Sequence, residues 1–169
     1  MNIRLLALTT FLAASLAACG GNSTSGGTVS GTAVMGPVGG ASVVAYAVTS
    51  GVMGAPIAST ITDAAGSFSL PVGDYSGPLL LRMTGGSYVD EATGSTMPML
   101  SGDMMEACLP SVAAGAGATG IQITPLTSMA CARASGMSGG MTPGNVTNAN
   151  SGICSYFSVN DILHVVPMN

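Results

Sequence analysis

The 169-residue chain carries 3 arginines, no lysine and 7 acidic residues, and only 6% of it is charged. The cations, Arg4, Arg82 and Arg133, are scattered, so no basic patch can form, which excludes nucleic acid as a partner and leaves no electrostatic hold on anionic head groups. With 47% hydrophobic residues and 25 glycines, the composition suits an exported β-protein with many turns, not a disordered chain, which would be highly charged and apolar-poor.

Arg4 supplies a positive start, and Leu5 to Ala18 is then a weakly polar to apolar stretch. It is short for a bilayer-spanning helix, which needs about 20 residues, and has the size of a signal-peptide core. It ends in Leu16-Ala17-Ala18-Cys19, which resembles the lipobox of bacterial lipoproteins at every position. The resemblance implies cleavage before Cys19 and acylation of that residue (diacylglycerol on the thiol, palmitate-type chains on the amine), so that the membrane is reached through lipid. Several acyl chains give stable anchoring where one gives only marginal binding. Gly20, where an aspartate would imply inner-membrane retention, implies the outer membrane. The expected organisation is therefore a signal peptide (1–18), a Gly/Ser-rich tether (19–27), a β-domain (28–124) and a helical tail (125–169). Without Arg4 the mature chain has a formal charge of 2 − 7 = −5.

From Thr28 to Thr124 apolar residues recur at a period of two between frequent turns, which predicts a β-sandwich. Expected strands are Val29 to Val34, Ala41 to Val48, Ile57 to Thr62 and Ser67 to Val72, with a loop over 51–56. In the second strand, Val43, Ala45 and Ala47 face one side and Val44, Tyr46 and Val48 the other. Asp63-Ala64-Ala65-Gly66 predicts a tight hairpin with glycine in the left-handed region. The apolar run Leu79 to Met83 predicts a central strand. Strands at 88–91 and 96–100 flank a turn at Ala92-Thr93-Gly94, and 107–112 and 120–124 complete the set.

Three segments together resemble the carboxypeptidase-regulatory-like (transthyretin-like, Cna-B-like) family. They are Val29-x-Gly31, Gly36-Pro-Val-x-Gly-Ala41-x-Val43-x-Ala-Tyr46 and Thr62-Asp-Ala-x-Gly66-x-Phe68-x-Leu70. The resemblance covers about residues 28–84 and implies a prealbumin-like, immunoglobulin-like antiparallel sandwich; it implies almost nothing about function.

Beyond the sandwich, Thr124-Pro125 predicts a cap with proline at the first helical position, opening a helix to Ser135 with Gly136 as its stop. Thr142-Pro143 repeats the signal for a helix reaching Phe157, and Ser158 with Asp161 is spaced for a capping box opening a third short helix. Ile-Thr-Pro-Leu-Thr-Ser-Met-Ala resembles a segment of secreted proteobacterial lipoproteins that further helices normally follow, which implies a truncated member or a fragment.

Catalytic constellations are sparse. His164, the one histidine, sits in an apolar stretch and is expected to be structural. With no paired Cys-x-x-Cys, a zinc site of usual composition cannot be built. Asp90, Glu91, Asp103 and Glu106 form the densest acidic group; it could bind Ca²⁺ or serve as a glycosidase carboxylate pair, although solvated hairpin charges are the expected role. Met97, Met99, Met104 and Met105 with Cys108 form a soft-ligand set suited to Cu(I), against which stands the ordinary use of methionine as core filler. After lipidation three thiols remain in an oxidising compartment. Cys131–Cys154, clamping the two helices, is the expected disulfide, with Cys108–Cys131 as its rival. No metal or cofactor is expected. The expected function is a membrane-anchored, non-catalytic structural or binding module with an unspecified protein or glycan partner. The alternatives are a carbohydrate- or ligand-binding accessory module, a copper binder, or a hydrolase using the acidic group.

Overall fold

The computed structural model describes residues 26–165; the expected signal peptide and the expected lipidation site, Cys19, lie outside them. Nine strands come first: β1 (Gly27–Ala33), β2 (Ser42–Thr49), β3 (Val52–Ile61), β4 (Ser67–Gly73), β5 (Gly77–Thr84), β6 (Ser87–Val89), β7 (Thr96–Pro98), β8 (Met104–Val112) and β9 (Ala118–Ile123). The helices α1 (Pro125–Gly136) and α2 (Pro143–Phe157) follow. The fold is mainly β. A three-stranded sheet of order β4-β1-β9 faces a four-stranded sheet of order β3-β2-β5-β8, and β6-β7 is a separate hairpin. Pairing is antiparallel except between β1 and β9, which run parallel.

Side-chain alternation builds the core. Val29 and Ala33 of β1, Phe68 and Leu70 of β4, and Ile121 and Ile123 of β9 point inward from one sheet. Val43 and Ala45 of β2, Leu79, Leu81 and Met83 of β5, and Ala107 and Leu109 of β8 meet them from the other. The opposite parity of the four-stranded sheet, Val48, Leu80 and Cys108, packs under Cys131, Ala134, Met141, Val146 and Ala149 of the helical region. Strand β5 is thus buried on both faces, which is why its sequence is continuously apolar. Burial of its three leucines contributes roughly 1.5–3 kcal/mol each. The helices do not trail from the sandwich; they lie on the outer face of the four-stranded sheet as a third layer.

Strand β3 runs through the expected 51–56 loop. It is an edge strand whose register against β2 shifts on either side of the Tyr46–Pro56 pair, and proline is tolerated at edges and bulges. The β3–β4 turn forms as expected: the Asp63 carboxylate accepts from the Ala65 and Ser67 amides at 2.9 and 2.8 Å, and Gly66 has φ +75°. Any Cβ at Gly66 would come within 2.6 Å of the Ala33 carbonyl. Both helices start at their Thr-Pro signals, with Thr124 and Thr142 accepting from the Thr127 and Asn145 amides. The third helix does not form. Ser158 closes α2 in the left-handed region at φ 55°, and Asp161 turns instead to the Leu163 amide and to His164 Nδ1, at 2.9 and 2.8 Å.

Candidate functional site

Three of the four acidic residues singled out by the sequence serve separate local structures. Asp90 accepts from the Ala92 and Thr93 amides and closes the β6–β7 turn, and Asp103 accepts from the Leu100 amide. Glu106 lies on the outer face of β8, where Oε1 takes both Nε and Nη2 of Arg82 at 2.8 Å. Among the described residues no three His, Cys, Asp or Glu side chains gather into a metal-binding group.

The soft-ligand set is likewise divided. Cys108 is bonded to Cys131 with a Cα–Cα separation of 5.4 Å, so it offers no thiolate. Met105 is buried in the sandwich core, whereas Met104 and Met97 are exposed. Met99 and Met104 share the wall of a shallow cleft with Arg82 and Asp103, and Met97 stands apart on β7. The expected Cys131–Cys154 bridge is corrected by this geometry. Cys108 lies on the outer face of β8, opposite the inward Ala107 and Leu109, and α1 lays Cys131 directly over it. Cys154 is a free, half-buried thiol at the other end of the hairpin, near Ala130 and Ile153.

His164 is exposed and paired with Asp161. Burial works to raise the Asp161 pKa. The His164 side-chain hydrogen bond, the Leu163 amide and the imidazole charge outweigh it, and hold the carboxyl below its ordinary range.

A group that sequence reasoning missed lies where the helical layer leaves the sheet uncovered. The Arg82 guanidinium sits 5.6 Å from the centroid of the Tyr46 ring while pairing with Glu106. Both charges border a cleft of about 500 Å³ walled by Met53, Leu80, Ser135 and Met141. Strand parity places Tyr46, Arg82 and Glu106 on one face through the registers Tyr46↔Leu80 and Arg82↔Glu106, a coincidence readable only once the strand order is known. At the far end of α2, Tyr156 stands 81% exposed, edge-on to Phe157 at 5.0 Å.

No family model, curated protein or solved structure matches this chain.

Proposed function

We propose that this chain is an exported lipoprotein, anchored in the outer membrane through Cys19, whose folded part is a non-catalytic structural or binding module. The observation that carries the reading is Leu16-Ala17-Ala18-Cys19 at the end of an apolar stretch, with the first strand opening only eight residues later (27 − 19 = 8) at Gly27. The Cys108–Cys131 disulfide supports export, because such bonds persist in oxidising compartments. The acidic side chains support a non-catalytic role: Asp63, Asp90 and Asp103 hold turns and Glu106 neutralises Arg82. No helix among the described residues is long and apolar enough to cross a membrane. In this reading the lipid supplies the whole attachment.

The test is intact mass of the membrane-extracted protein beside a Cys19→Ser variant. The expected product starts at residue 19 with added acyl chains, and the variant carries none and leaves the membrane fraction. An unacylated, soluble wild-type product would sink the reading.

A further inference from the structure

The helical hairpin packs on the sandwich through Met141, Val146 and Ala149, through small side chains of α1, and through one disulfide. The side chains that α1 buries are Thr127, Ala130, Cys131 and Ala134, none larger than threonine. Such residues permit close approach but remove little apolar area from water. The polar ties of the helices to the strands and their turns are Ser128 Oγ with the Glu106 amide and carbonyl at 2.9 and 3.4 Å, the Met141 amide to the Gly51 carbonyl at 2.8 Å, and Asn150 Nδ2 to the Cys108 carbonyl at 3.3 Å, with the Gln122 amide held by the Leu163 carbonyl beyond α2 at 2.8 Å. The sandwich, by contrast, closes its own core from strand residues of both sheets, and the patch under the helices is a separate cluster. Cys108 and Cys131 lie at the centre of that second cluster, 2% and 0% exposed, with Met141 Sδ 3.7 Å from Cys108 Sγ.

We propose that the Cys108–Cys131 disulfide is a redox latch that keeps the α1–α2 hairpin docked. Its reduction by a dithiol frees the hairpin and bares the Val48–Leu80 strip of the four-stranded sheet, while the two-sheet sandwich stays folded. One thiolate of the reductant attacks a cystine sulfur and releases the other as a thiolate; the second reductant thiol then resolves the mixed disulfide. Two electrons and two protons pass to the cysteine pair, and the reductant leaves as its cyclic disulfide. Both sulfurs are buried, so the reductant reaches them only through brief local openings at the α1–β8 contact that leave the bond intact, and lasting undocking follows once the bond is cut. The chain between the two cysteines runs through β9, which stays in the sandwich, so the bond constrains only the short stretch from Thr124 to Cys131, and losing it raises the undocked population on the order of fiftyfold.

The chain carries its own reporters. It has no lysine, and beyond Arg4 the trypsin sites are Arg82, on the central strand, and Arg133, on α1 with its guanidinium against Gly152 of α2. The experiment follows trypsin cleavage at both sites in the detergent-purified oxidised protein, the same protein under dithiothreitol, and the Cys108→Ala/Cys131→Ala variant, which needs no reductant. Cleavage after Arg133 is expected to speed up about fiftyfold without the bond, with Arg82 remaining protected and an apolar dye gaining fluorescence. Two results would overturn the latch. If Arg133 stays protected in the double variant, packing alone holds the hairpin. If Arg82 becomes cleavable in step with Arg133, the bond secures the whole domain. Neither result bears on whether Cys19 is acylated.

Discussion

Thr62 sits at the end of the sandwich where β3 turns into β4, 4% exposed, and its hydroxyl joins two distant backbone groups. It accepts from the Ala41 amide at 2.9 Å and donates to the Val38 carbonyl at 2.7 Å, adding two bonds to those that the Thr62 backbone exchanges with Gly40 and Ala41. Thr62→Val keeps the shape and removes both bonds, leaving a buried donor and acceptor without water. The expected cost is about 1–3 kcal/mol, read as a fall in the urea midpoint with unchanged slope; a midpoint within error of wild type would show that the connection relaxes to find other partners. Thr62 opens the Thr-Asp-x-x-Gly motif that the sequence displays, yet its polar role was invisible there, since both partners lie more than 20 residues away. The candidate site was legible to a similar degree. The turn at Ala92-Thr93-Gly94 was legible, whereas Asp90, expected as a solvated hairpin charge, closes that turn by accepting from the Ala92 and Thr93 amides. The Cys108–Cys131 pairing required knowing which face of β8 the helices cover, and spacing along the chain does not contain that.

The elements read well where one face decided them and poorly where tertiary context did. The Leu79 to Met83 run announced a central strand, and the two Thr-Pro signals located both helices. Gly31 carried a hidden constraint: a Cβ there would be driven into the Ile121 carbonyl, so the Val-x-Gly motif is what lets β9 lie parallel beside β1. The 51–56 loop was misread because Gly54 and Pro56 punctuate sequence without ending an edge strand. The missing third helix is a case of competition, because the Asp161 carboxylate finds better partners in Leu163 and His164 than in a helical first turn. This turn places the Leu163 carbonyl 2.8 Å from the Gln122 amide and so covers the outer edge of β9. A carboxyl whose pKa is lowered on folding stabilises the native turn while ionised; that contribution is complete above the ordinary aspartate range and vanishes as pH falls through the lowered value. The Gln122 amide resonance is therefore expected to shift on acidification below about pH 4 and to lack this step in Asp161→Asn. Because the pair is about half exposed, overall stability should change little. A Gln122 resonance that ignores pH in the wild type would detach the turn from Asp161.

At the scale of the whole molecule, the topology decides which end of the sandwich meets a membrane if Cys19 carries the lipid. Strand β1 begins at Gly27 beside Gly73, the last residue of β4. The β4–β5 connection, the β2–β3 turn and the 113–117 loop lie at that same end, because β5 starts opposite Val112 and short connections cannot cross the sandwich. The opposite end carries the Asp63–Gly66 turn, the 34–41 connection and the β6–β7 hairpin. The seven residues from Gly20 to Gly26 reach at most about 25 Å when extended, close to the length of β1 itself, about 23 Å for seven residues. With a lipid on Cys19, the near end is thus kept within a short reach of the head groups, and an upright domain holds the far end a strand length farther out. In a Cys154→Ser background, a fluorophore on Ala114→Cys at the near end should be strongly quenched by a head-group quencher in vesicles holding the lipidated protein. The same label on Ala65→Cys at the far end should be quenched weakly. Both positions are exposed loop residues, so labelling leaves the core intact. Equal quenching would mean that the domain lies on its side, with the sheet faces and the Tyr156–Phe157 pair, not the far loops, setting what it presents to a partner.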